Sequence, residues 1–157
     1  MILIAYDGSK DAHEAIARAA KLFPGQPATI LVVWQRFFET MAGAGVGMAV
    51  LLDYDEIDQA AGKAAEDKAA EGVQVAQEAG LEATARPAVS VGTVAATILS
   101  EADAIDADAV VMGSRGLTGV KSLLLGSVSN AVLQHADRPV VVVPSPEVAT
   151  ERAKRRS

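Results

Sequence analysis

Hydrophobic and polar positions along this chain fall into two alternating rhythms. Short apolar runs (Ile2 to Tyr6, Ala28 to Trp34, Asp108 to Met112 and Pro139 to Pro144) read as buried strands. Between them, apolar residues recur at helical spacing. Ala12, Ala15, Ile16, Ala19 and Leu22 form one stripe, begun at the Asp7-Gly8-Ser9 turn and stopped by Pro24-Gly25. A second helix is predicted from about Asp55 to Ala79, with Ile57, Ala61, Ala64, Gly72, Val75 and Ala79 on its apolar side. Gly62 and Gly72 each weaken it by about 1 kcal/mol relative to alanine, so packing must carry it. A third helix opens at Gly92-Thr93 and runs through Val94, Ile98, Leu99, Ala102 and Ile105; a fourth passes through Val128, Ala131, Val132 and His135. One more strand lies within residues 82–89. Pro87 cannot donate to a ladder, which predicts a sheet edge or an early break there.

Strict strand–helix alternation implies a single-domain α/β fold: an open, Rossmann-like parallel sheet with right-handed crossovers and helices on both faces. In such sheets ligands bind beyond the carboxyl ends of the strands, where the strand order reverses. Asp7 and Gly113 both stand at such ends, and one crevice holds both if their strands are neighbours. The domain is expected to span residues 1–146, and the basic tail 147–157 reads as a solvated, frayed terminus. Arg36 to Leu52 breaks the rhythm, being too glycine-rich for a helix and too apolar for an ordinary loop. A flap over the site, an oligomer interface and a plain connection all fit it.

Composition narrows the chemistry. With no cysteine among its 157 residues, the chain has no disulfide, no thiolate nucleophile and no cysteine zinc site. A formal net charge of −6 argues against general affinity for nucleic acid. The opening apolar run is too short for a signal peptide or a bilayer span, so the expectation is a cytoplasmic protein without membrane contact.

The candidate chemistry sits after the fourth strand. Gly113-Ser-Arg-Gly116 is followed by nine residues and then Gly126-Ser127-Val128-Ser129, at the start of the last predicted helix. Glycines let a backbone approach a bulky anion, and a helix start offers unpaired N–H groups and a positive dipole end. Ser127 and Ser129 can donate to phosphate oxygens; otherwise Ser127 is a helix cap and Ser129 an exposed helix residue. Arg115 and Lys121 can neutralise a polyphosphate or stand as ordinary surface charges. Asp7 can accept from ribose hydroxyls, hold a Mg²⁺ through water, or cap the first helix. There is no Walker-type GKS/T loop, and no Ser–His–acid order can be defended from His13 and His135.

Together with Ala5-Tyr6-Asp7-Gly8-Ser9 and Val110-Val-Met-Gly-Ser-Arg-Gly116, this spacing resembles the ATP-binding branch of the universal stress protein family over nearly the whole chain. The resemblance implies strand order 3-2-1-4-5. It also implies an ATP site with the backbone of Ala5 and Val33 at adenine and Asp7 at the ribose. Met112 and Gly113 would then lie near the sugar and first phosphates, and Gly116, Gly126, Ser127, Val128 and Ser129 along the phosphates. Homodimers paired through the last strand are implied as well. Pro139 to Val143, a purely apolar edge in that order, suits such pairing. The function expected is a nucleotide-binding regulatory or stress-response module. The alternatives are an enzyme of the same fold, either a slow Mg²⁺-dependent ATP hydrolase or another nucleotide-dependent enzyme such as a transferase, and a purely structural dimer.

Overall fold

The computed structural model describes residues 1–37, 39–40, 53–117 and 125–156. Most of the Arg36–Leu52 segment, together with Lys121, lies outside the described residues. Five strands, β1 (Ile2–Ala5), β2 (Ala28–Trp34), β3 (Ala83–Val89), β4 (Ala109–Gly113) and β5 (Val140–Val143), form one parallel sheet in the order β3-β2-β1-β4-β5. The helices are α1 (Lys10–Leu22), α2 (Tyr54–Glu78), α3 (Val94–Ala104), α4 (Ser127–His135) and α5 (Pro146–Arg156).

Side chains alternate across the strands and build a core on each face. Ile2, Ile4, Ile30 and Val32 face α1 and α2, packing on Ala15, Ile16, Ala65 and Ala69. Leu3, Leu31, Val110 and Met112 face α3 and α4, packing on Ile98, Ala102 and Val132. Pro87 does stand in an edge strand, in register with Val32, and β3 continues past it to Val89.

Three expectations need correction. Leu22 is 56% exposed, because α1 ends there and Phe23 packs against the core instead. The buried stripe of α2 is Ala65, Ala69, Gly72 and Ala76, whereas Ala64 and Ala79 are exposed. Gly72 earns its place by close approach: a Cβ there would lie 2.7 Å from Ile30 Cγ2 and 2.9 Å from Tyr6 Cδ1. The basic tail is not frayed up to residue 156 but winds into α5. Pro146 suits a first helical position, Ser145 Oγ accepts from Val148 N at 3.4 Å, and Val148 is buried. Among the described residues no helix is long and apolar enough to cross a membrane.

Candidate functional site

The chain runs outward from β1 in both directions, to β2 and β3 on one side and to β4 and β5 on the other, so β1 and β4 flank the point of reversal. Ala5 pairs in register with Met112, which brings the Asp7 turn and the Gly113 loop side by side. Beyond these strand ends lies a cavity of about 420 Å³. Its wall contains Ala5, Tyr6, Asp7, Val33, Met112, Gly113, Arg115, Gly116, Gly126, Ser127, Val128 and Ser129. Ser9, Ala12, Leu31, Val94, Ile98 and Leu117 also line it. Nothing local in the sequence marks these residues, which look like ordinary core or turn positions. Only the register of β2 and the docking of α3 turn Leu31, Val94 and Ile98 toward one space.

The cavity has two chemically distinct ends. One is apolar, made by Leu31, Val33, Val94 and Ile98. The other is the glycine loop and the start of α4. Gly126 caps this helix with no side-chain hydrogen bond, and the first intrahelical bond runs from Asn130 N to Gly126 O at 3.0 Å. The amides of Ser127, Val128 and Ser129 therefore have no acceptor within the helix. Ser127 is exposed, whereas Ser129 is 2% exposed, with its hydroxyl directed at Ser114 O (3.0 Å) and Gly126 O (3.1 Å). Of the two serines, Ser127 is the one whose hydroxyl is not bonded to the protein among the described residues.

Two of the three motif glycines have protein reasons. A Cβ on Gly113 would lie 2.8 Å from Asp11 Cβ, and one on Gly116 2.8 Å from Asp7 Oδ2. Gly126 differs. Its φ of −71° suits any residue, and an added Cβ would meet no atom of the described residues closer than 3.5 Å. Packing among the described residues does not require glycine there.

The opposite wall is firmly held. Asp7 Oδ1 accepts from Ser9 N at 2.9 Å, Oδ2 accepts from Leu117 N at 3.2 Å, and Lys68 Nζ donates to the Asp7 carbonyl at 3.1 Å. A carboxylate has further lone pairs, so these bonds leave it capacity to accept from a ligand. Tyr6 donates its hydroxyl to Glu71 Oε1 at 2.6 Å and stands 3.1 Å from His13 Nε2. Burial, then the Glu71 hydrogen bond and charge, then the Asp7 charge hold the Tyr6 phenol well above the ordinary tyrosine range. His13 is thereby occupied behind the wall, its Nδ1 2.9 Å from Ser9 O.

This geometry can be set beside known proteins. The model of the Universal stress protein family matches residues 1–144. The chain belongs to that family. A universal stress protein of Thermus aquaticus is 34% identical over 152 residues, covering 90% of this chain and 96% of the relative. A shorter match, 43% identical over 56 residues, spans 36% of this chain and 33% of universal stress protein MJ0531 of Methanocaldococcus jannaschii. The solved structure of MJ0577 shares the fold with a TM-score of 0.73 at 22% identity, covering 91% of this chain and 94% of that one. Two further universal stress proteins of the same fold were solved with nucleotides. One, in complex with cAMP, has a TM-score of 0.61 at 22% identity, covering 92% of this chain and 95% of that one. The other, from Archaeoglobus fulgidus in complex with dAMP, has 0.59 at 23%, covering 90% and 95%.

In this family member, the described residues contain no group of three or more His, Cys, Asp or Glu side chains able to hold a metal ion. The donor set beside the cavity, a single aspartate at the glycine end, suits a cation carried by phosphates rather than a protein cage.

Proposed function

We propose that this universal stress protein is a cytoplasmic, ATP-binding regulatory or stress-response module. Gly126 carries the reading: a glycine with ordinary φ, whose added Cβ would make only ordinary contacts with the described residues, at a helix start on the cavity wall that has no side-chain cap. The apolar end would take the adenine, against Ala5 and Val33. Asp7 would accept from the ribose. Met112 and Gly113 would lie along the sugar and first phosphate, with Gly116, Ser127, Val128 and Ser129 around the rest and Arg115 as their counter-charge. A Mg²⁺ entering with the phosphates would draw on Asp7 and water. The cAMP and dAMP complexes of fold relatives support the adenine nucleotide. Homodimerisation through the β5 edge, Pro139 to Val143, belongs to the same proposal, and sedimentation at twice the monomer mass is its expected sign.

Among the described lining residues Asp7 is the carboxylate and no histidine takes part, so any hydrolysis is expected to be slow. The deciding experiment extracts small molecules from the purified protein and then titrates it with ATP. Bound adenine nucleotide, or a rise of about 2.7 kcal/mol in stability at a hundredfold excess over Kd, is the expected result. An empty extract with no change in stability at millimolar ATP removes the proposal. ATP turnover that scales with protein and vanishes in Asp7→Ala would make the chain an enzyme instead.

A further inference from the structure

The second residue of α1, Asp11, is 6% exposed, although its place in the sequence looks like a routine acid in a first helical turn. Its carboxylate is spent far along the chain. Oδ2 accepts from Ser114 Oγ at 2.8 Å and from Arg115 N at 3.1 Å, so two donors of the glycine loop converge on one oxygen. Gly113 makes this approach possible, since any Cβ there would collide with Asp11. Ser114 then passes the connection on: its carbonyl accepts from Gly126 N at 2.8 Å and from Ser129 Oγ at 3.0 Å. One buried oxygen thus fixes the loop after β4, and through it the start of α4. None of these bonds reaches the apolar end of the cavity, where Leu31, Val33, Val94 and Ile98 sit.

We propose that Asp11 is a positioning residue that sets the preference of this site for phosphorylated nucleotides over the nucleoside, without itself touching the ligand. The inference rests on the nucleotide reading above and goes beyond it in assigning the phosphate end to a residue outside the cavity wall. A loop held at Ser114 and Arg115 presents the amides of α4 in a fixed arrangement, and phosphates gain from donors that need no reordering on binding. Loosening that loop weakens the phosphate contacts and leaves the base pocket as it was.

The experiment compares ATP and adenosine as ligands of the full chain and its variants by calorimetry. In Asp11→Ala, affinity for ATP is expected to fall about tenfold, the loss of a single well-placed hydrogen bond or more, while adenosine changes by less than about twofold. In Asp11→Asn, one amide oxygen can still accept from both donors, so ATP affinity is expected to return close to that of the parent. Equal losses for both ligands would mean a purely structural role and overturn the inference, as would unchanged ATP binding or an Asn variant as weak as the Ala variant. Should Asp11→Ala fail to fold, Ser114→Ala removes only one of the two bonds. It is expected to weaken ATP selectively, and unaltered ATP binding there also overturns the inference. A parent that binds neither ligand brings down the nucleotide reading itself, and this inference with it; a parent that binds both while the variants match it brings down this inference alone.

Discussion

Helices α1 and α4 start at the same edge of the sheet, against the same cavity, on almost the same backbone. The cap residue of α1, Ser9, has φ −72° and ψ 161°; that of α4, Gly126, has φ −71° and ψ 162°. The first start is closed by the protein: Ser9 Oγ accepts from Ala12 N, and Asp11 fills the first turn. The second has no side chain to close it. Local backbone conformation does not explain the difference, since the dihedral angles at both places suit serine. One start is closed by its own cap side chain, and the other has no side-chain cap.

The largest break in that comparison comes from Gly126→Val. The branched side chain would stand at the open helix start, and ATP affinity is expected to drop on the order of a hundredfold, equivalent to about two hydrogen bonds to a charged ligand. Calorimetry measures it. A folded variant that binds as the parent does would place the phosphates elsewhere.

Closing the contrast from the other side, Ser9→Ala uncaps α1 and is expected to lower stability by about 1 kcal/mol in urea unfolding. A change below a few tenths would mean that the Ser9 cap is not a structural necessity.

Tyr6, on the closed wall, gives a pH signature. Its folded-state pKa lies above the ordinary value, so the folded chain keeps a proton that the unfolded chain gives up. The stability this supplies is complete below the usual tyrosine pKa of about 10 and is lost progressively as pH rises above it. Urea midpoints measured between pH 8 and 11 should fall at the alkaline end for the parent and fall less for Tyr6→Phe; parallel curves would refute the assignment.

The smallest effect is the most diagnostic. Gly126→Ser supplies the missing cap on a backbone already suited to it, for a gain of only a few tenths of a kcal/mol. Higher stability with weaker ATP binding would show that the open helix start is kept for the ligand. Lower stability would mean that the site needs glycine for structural reasons.

Much of the arrangement was legible because it depends on local chemistry. The apolar runs marked four strands, Pro87 called for a sheet edge or an early break in the fifth, and the glycine spacing after Met112 located residues that now lie on the cavity wall. What escaped had no local contrast. In α2, alanines occupy several faces (Ala60, Ala61, Ala64, Ala65, Ala69 and Ala70), so periodicity could not single out the buried stripe that Ile30 and Tyr6 select through Gly72. The tail's charges concealed a helix that needs one buried anchor, Val148, and a serine at its start. Ser129 and Ser127 look alike in sequence, yet only the fold decides that Ser129 is buried against Ser114 while Ser127 is exposed.

The sequence by itself determined the five strands, the first four helices, the parallel α/β architecture and the loop of three glycines, because propensity, turn chemistry and steric freedom act over a few residues. The tertiary structure decided which groups remain available. Asp11 and Ser114 meet across 103 positions, Asp7 and Leu117 across 110, and those bonds fix the loop that faces the open start of α4. Whether a polar group is spent inside the protein or left for a ligand depends on partners brought close only by the fold. No reading of neighbours along the chain could have assigned it.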